Sequence, residues 1–240
     1  MGPLLELIAV RAGYGGGDIL QGVDLTVDQG SLTCIVGPNG AGKSTILRVV
    51  SGLLRPSAGT VRFAGESLAG KSPRAILARG IVQVPQERSL FPTMTVWENV
   101  RLGAYSLRDR SLVDKRMRTV CETFPLVSER RHDLAASLSG GQQKIVEFAR
   151  AMMLEPSLLI LDEPSMGLDP KTRTLVFKTI SSLNESGRTL LLVEQNARSG
   201  LGIATHGVVM ESGRVRLEGP GLEVLNNPEI GRLYLGAATA

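Results

Sequence analysis

The nine residues Gly37-Pro38-Asn39-Gly40-Ala41-Gly42-Lys43-Ser44-Thr45 constrain the fold of this chain more than any other segment. They follow an apolar run, residues 32–36, that reads as a buried strand. They precede a stretch in which Ile46, Val50, Leu53 and Leu54 fall on one face of a helix. A glycine-rich turn between strand and helix, closing on Lys-Ser, is the pattern of a phosphate-binding loop. The glycines let backbone N–H groups close around phosphate oxygens, and the following helix points its positive end at them. Lys43 suits the β- and γ-phosphates of a nucleotide, and the Ser44 hydroxyl suits Mg²⁺. A glycine turn without a ligand would not need strand, loop, Lys-Ser and helix to agree.

The rest of the chain repeats this alternation. Residues 81–84, 158–161, 190–193 and 208–210 read as further strands. Two of them, 158–161 and 190–193, are continuously apolar, as expected where both faces of a parallel sheet are covered. Ile145, Phe148, Ala149, Met152 and Met153 form a second helical stripe that stops before Pro156. The expectation is a βα-alternating α/β core. From residue 87 onward the alternation is interrupted by a helical pattern in which Val113, Met117, Val120, Cys121 and Phe124 share a face. This reads as a helical subdomain, residues 87–153, inserted into one domain spanning 1–240.

Composition removes several function classes. Hydrophobic residues make up 42% and aromatics only 4%, so the core must be largely aliphatic. The net charge of +4 is spread without a dense Lys/Arg block, so no nucleic-acid partner is expected. Cys34 and Cys121 lie in apolar patterns outside any CxxC or His/Cys cluster, which argues for small core residues and against zinc. No run approaches the roughly 18 apolar residues of a membrane span, and residues 1–10 lack the pattern of a signal peptide. The expectation is a cytoplasmic chain whose membrane role, if any, needs partner chains.

The run Leu158-Leu159-Ile160-Leu161 ends in Asp162-Glu163. Two carboxylates at the end of a buried strand are costly unless something uses them. Asp162 is placed to help hold Mg²⁺, and Glu163 to polarise an attacking water as general base. The alternative is that one of the pair caps a helix beside Pro164.

Leu138-Ser139-Gly140-Gly141-Gln142 opens the helix containing residues 145–153. Ser139-x-x-Gln142 is a capping box, and a serine with two glycines at a helix N-terminus also makes an anion site. With the two preceding motifs, in this order, the chain resembles the ABC ATPase family over nearly its whole length. The resemblance implies a P-loop (RecA-like) ATPase core with an N-terminal antiparallel β portion and an inserted helical subdomain. It implies ATP and Mg²⁺ as ligands, and a head-to-tail dimer in which Ser139, Gly140, Gly141 and Gln142 meet the γ-phosphate held by the other monomer. Gln86 matches the glutamine that reaches Mg²⁺ and links hydrolysis to integral membrane permeases. Asp169, in Ser165-Met166-Gly167-Leu168-Asp169, matches a segment that crosses the dimer interface. Tyr14, in a glycine-rich turn, resembles the aromatic that stacks on adenine.

One position departs from the family's usual pattern. Gln195, in Glu194-Gln195-Asn196, stands where a histidine is expected, and neither His132 nor His206 can take its place. His132 sits upstream of Ser139, and His206 reads as a surface loop residue. Glu-Gln-Asn is similar to the smaller ATPases of branched-chain amino-acid importers and of related urea or amide importers. Phe124-Pro125, Glu129-Arg130-Arg131 and Tyr234-Leu235-Gly236 resemble that subgroup too, whereas Glu87-Arg88 is less typical of it. The resemblance implies a peripheral protein on the cytoplasmic face of the cell membrane, as a homodimer or paired with a sister ATPase. Rival members of the family, in chromosome maintenance or translation, are disfavoured by the absence of long heptads and of a second ATPase unit.

Overall fold

Two sheets with one helix pressed between them set the geometry of this protein in a computed structural model that describes residues 2–230. The Tyr234-Leu235-Gly236 ending lies outside the described residues. The first sheet is antiparallel. It is built from β1 (Leu5–Gly13), β2 (Asp18–Val27), β4 (Ala58–Phe63) and β5 (Glu66–Ser67), in the order β2-β1-β4-β5. The second runs β10-β9-β3-β8-β7-β6. Its strands are β3 (Leu32–Val36), β6 (Ile81–Val84), β7 (Leu158–Asp162), β8 (Thr189–Glu194), β9 (His206–Glu211) and β10 (Arg214–Pro220). All but β10 are parallel to their neighbours.

The continuous apolar runs are explained by the packing. Along β3, Leu32, Cys34 and Val36 enter one buried cluster, whereas Ile35 enters the other. In β8, Leu190 and Leu192 point one way and Leu191 and Val193 the other. One face of the sheet packs on α1 (Lys43–Val50) and the antiparallel sheet, through Ile46, Leu47, Leu5, Leu7 and Leu20. Short α2 (Pro73–Ala78), capped by Ser72, adds Ile76 to that layer.

The other face is covered by helices. Between β6 and β7 the chain forms α3 (Val96–Leu102), α4 (Arg110–Thr123), α5 (Pro125–Glu129) and α6 (Gly140–Met152), with no strand among the described residues. Val113, Met117, Val120 and Phe124 supply the buried stripe, whereas Cys121 is only partly buried. Phe148 of α6 is fully buried against the parallel sheet's cluster. Helix α7 (Pro170–Glu185) follows β7, and the short α8 (Ala197–Leu201) and α9 (Gly221–Leu225) close the far edge.

Two expectations are corrected. The helix after the glycine loop stops at Val50. Gly52 adopts a left-handed φ of +72°, and Leu53 is 64% exposed rather than on the buried face. His206 is the first residue of β9, not a loop residue, and its ring faces Glu218 at 3.7 Å.

Candidate functional site

The carboxyl ends of β3, β8 and β7 lie side by side, the place where open α/β sheets bind ligands. Val36 pairs with Glu194 and Asp162 with Val193, so three carboxyl-bearing residues, Asp162, Glu163 and Glu194, converge beside the loop that follows β3. That loop is tightly seated. A Cβ on Gly37 would come within 2.6 Å of the Met210 carbonyl oxygen, and Gly42 takes a φ of +102° against Leu20. The Ala41 carbonyl accepts from the Gly213 N–H at 3.0 Å, so the β9–β10 hairpin supports the loop from behind. Gly37 and Ala41 are buried, whereas Pro38, Asn39 and Gly40 are exposed at the tip. The hydroxyl-bearing Ser44 is exposed on the first turn of α1, and Thr45 is buried beneath it.

Lys43 is folded back on its own loop. Its Nζ donates to the carbonyls of Gly37 at 2.7 Å and Pro38 at 3.2 Å. It also sits 3.7 Å from Glu163 Oε1, with both side chains nearly buried. Gln86, two residues beyond β6, donates from Nε2 to Glu163 Oε2 at 3.1 Å. The Glu163 carboxylate thus joins the phosphate-binding loop to the segment after β6. Its backbone lies at a φ of +42°, a conformation that costs a non-glycine residue about 1–3 kcal/mol and concentrates at functional sites. Neither Asp162 nor Glu163 caps a helix; Asp169 does so for α7, accepting from the N–H groups of Lys171 and Thr172.

Asp162 carries an unmet demand. Its Oδ1 is buried without a hydrogen-bond partner among the described residues. Burial pushes its pKa upward, and neighbouring Glu163 adds to the shift against the opposing field of Lys43. A buried, orphaned carboxylate oxygen fits a hard divalent cation, which takes oxygen donors and keeps several waters.

Glu194 was not singled out by the sequence reading. It is 2% exposed and accepts from the Ser165 N–H at 3.2 Å and the Ser165 hydroxyl at 3.1 Å. Burial raises its pKa to about 7, against the lowering effect of the two Ser165 bonds. The signal was available: the run 190–193 ends in a carboxylate just as 158–161 does. Gln195, the next residue, is exposed in a bend, and Asn196 caps α8.

The predicted residues fall into separate groups. Lys43, Gln86 and Glu163 are joined in one network, with Asp162 beside it. Tyr14 is exposed at the start of the β1–β2 turn, and the Arg48 guanidinium of α1 lies 5.5 Å from its ring centroid. Ser139 and Gln142 form the reciprocal capping box of α6, with Gln142 Oε1 accepting from the Ser139 N–H at 3.0 Å. A Cβ on Gly141 would lie 2.1 Å from Thr172 of α7, so only glycine lets the two helices approach there. No hydrogen bond among the described residues ties residues 139–142 to the Lys43 network; the segment is open on its outer side, with Ser139 exposed.

The family model described as ABC transporter matches residues 20–166, from β2 through Glu163 and on to Met166. The chain belongs to the ABC transporter family. It is 37% identical over 233 residues to the high-affinity branched-chain amino acid transport ATP-binding protein BraG of Pseudomonas aeruginosa, covering 97% of this chain and 100% of that one. Its structure superposes with a TM-score of 0.89 on an ABC transporter cassette solved in its ADP conformation, at 29% identity, over 98% of this chain and 100% of the other. A dimeric cassette in a post-hydrolysis state with ADP and Pi gives a TM-score of 0.77 at 27% identity, over 90% of this chain and 98% of that one. This ABC protein is therefore an ATP-binding ATPase subunit of a transporter. No helix among the described residues is long and apolar enough to cross a membrane.

Proposed function

We propose that this ATPase drives uptake of branched-chain amino acids, hydrolysing ATP with Mg²⁺ between two cassettes beneath integral membrane permeases. The observation that carries the hydrolytic part is the meeting of Lys43 and Gln86 on the two oxygens of Glu163. The loop of residues 37–45 cradles the phosphates by its N–H groups, and Lys43 leaves the Gly37 and Pro38 carbonyls to neutralise them. Tyr14 stacks on the adenine ring from the rim. Ser44, Asp162 and Gln86 hold Mg²⁺, which when bound supplies charge neutralisation at the phosphates. Glu163, released from Lys43, orients the attacking water and takes its proton. Gln195 donates to the γ-phosphate from its amide, the part a histidine N–H can play, without the capacity to take up a proton near neutral pH.

Ser139, Gly140, Gly141 and Gln142 complete the site of the other monomer in a head-to-tail dimer, and Asp169 lies at that interface. The exposure of Ser139 at the start of α6 favours this reading, as does the likeness to a dimeric cassette. Helices α3–α6, within residues 87–153, act as the inserted subdomain that carries the signature segment. A groove of about 250 Å³ beside the Gln86 segment, lined by Leu77, Val84, Leu102, Tyr105 and Leu154, receives the permease. The chain then works peripherally on the cytoplasmic face of the membrane. The substrate class is supported by the full-length likeness to a branched-chain amino-acid transport subunit and by Glu194-Gln195-Asn196.

The test is Glu163→Gln. It keeps ATP binding, loses most turnover and traps an ATP-dependent dimer visible by gel filtration. Hydrolysis by this variant at the wild-type rate removes Glu163 from the mechanism.

A further inference from the structure

Helix α6 buries an ion pair that the nucleotide site described above does not use. Lys144 and Glu147 lie three residues apart on it, with the ammonium 2.6 Å from Glu147 Oε2 and side-chain exposures of 9% and 1%. A buried ion pair is weak support for a fold, because an apolar pair of similar volume often serves as well or better. What an apolar pair cannot do is hold specific backbone groups, and this pair does so. Glu147 Oε1 accepts from the Ser89 N–H at 2.6 Å and from the Ser89 hydroxyl at 3.0 Å. Lys144 Nζ donates to the Pro85 carbonyl at 3.4 Å. One further turn along, Arg150 donates to the Ser89 carbonyl at 2.7 Å and also to its hydroxyl.

Three side chains on one helix, spaced by threes, therefore grip Pro85 and Ser89. Only Gln86, Glu87 and Arg88 lie between the two gripped residues. The same helix begins at the capping box of Ser139 and Gln142. The Gln86 segment is thus tied to α6 at both ends, by short charge-assisted hydrogen bonds at Ser89 and by a longer one at Pro85.

We propose that Lys144 and Glu147 are positioning residues for hydrolysis: by holding Pro85 and Ser89 against α6 they set where Gln86 meets Glu163. The proposal rests on the reading of Gln86 given above. The groups act through Gln86 and touch no reacting atom.

The decisive experiment is a double-mutant cycle on steady-state ATP hydrolysis by the full chain. Lys144→Met/Glu147→Leu removes the grip while keeping an apolar helix face. Its kcat falls roughly 10- to 100-fold, the range for a displaced active-site group, while KM for ATP is unchanged because residues 37–45 are untouched. Gln86→Ala alone falls similarly, and the combination falls no further. If the double exchange costs the fold, seen as loss of the thermal transition, Arg150→Met cuts the same grip and is expected to show the same non-additivity with Gln86→Ala. Hydrogen exchange supplies the structural readout: the Ser89 amide exchanges slowly in the wild-type chain and fast once Glu147 is gone. Defects that multiply with that of Gln86→Ala, or an unchanged kcat, overturn the proposal. Glu163→Gln is run alongside. If it hydrolyses ATP at the wild-type rate, the reading of the site fails and the proposal with it, an outcome distinct from additivity.

Discussion

Replacing Glu194 by glutamine changes how stability depends on pH, and the structure fixes the sign. In the folded protein burial raises the Glu194 pKa from 4.5 to about 7. Between those values the folded chain binds a proton that the unfolded chain has released. Stability arising from this group is therefore fully present below pH 4.5 and is lost as pH rises through 7. At about 1.4 kcal/mol for each pH unit, the loss amounts to about 3 kcal/mol. Glutamine does not titrate, and its amide oxygen still accepts from the Ser165 N–H. Nucleotide-free Glu194→Gln should match the wild type near pH 4.5 and exceed it by up to about 3 kcal/mol at pH 8. Urea unfolding of both proteins at a series of pH values measures the difference, and the other titrating groups cancel between them. Parallel stability curves would show that Glu194 stays ionised in the fold, and that the Ser165 bonds outweigh its burial.

Two further changes probe the proposed chemistry. Ser139→Arg should leave ATP affinity of the monomer intact and abolish hydrolysis; loss of binding by the monomer would reduce Ser139 to the cap it makes on α6, worth about 1 kcal/mol. Gln195→Ala should lower turnover roughly 10²-fold, as for removal of one transition-state donor, and Gln195→His should preserve it, measured with the membrane partners present. Unimpaired hydrolysis by Gln195→Ala would make this exposed residue a mere strand end.

The parallel sheet could be read from the sequence because its strands are covered on both faces and so appear as unbroken apolar runs. The antiparallel sheet was implied by the family resemblance and not by its residue pattern, although the alternation is present. Leu5 and Leu7 are buried at odd positions, but Val10 and Ala12 at even ones. The switch occurs at Ala9, where a φ of +48° and a register shift insert a bulge, held by a hydrogen bond from the Ala9 N–H to Asp24 at 2.8 Å. A period-two pattern that slips by one residue is invisible to a search for strict alternation. The helix after the glycine loop was overextended for the opposite reason. Leu53 and Leu54 continue its stripe, but Gly52 turns the chain, packed so closely that a Cβ there would meet Ile76 at 2.6 Å.

The chemistry was legible where charge stood at the end of an apolar strand and obscure where it lay within a helix. Lys144 and Glu147 look like the polar residues any amphipathic helix carries, since both types are almost never buried unless paired. Only tertiary contact with Pro85 and Ser89 distinguishes them.

The carboxyl ends of the parallel strands also bring three carboxyl-bearing residues, Asp162, Glu163 and Glu194, close together. Asp162 has a buried oxygen without a partner, Glu194 is lifted to about 7, and the near-buried Lys43 is shared between Glu163 and its own loop. Each feature costs folded stability, and none would be retained by packing alone. A ligand that brings phosphate to Lys43 and a divalent cation to Asp162 relieves the first and last of these together. Because it does so only in the folded state, its binding energy adds to the stability of the fold by mass action. Binding of such a ligand and the conformational response to it are then parts of one equilibrium.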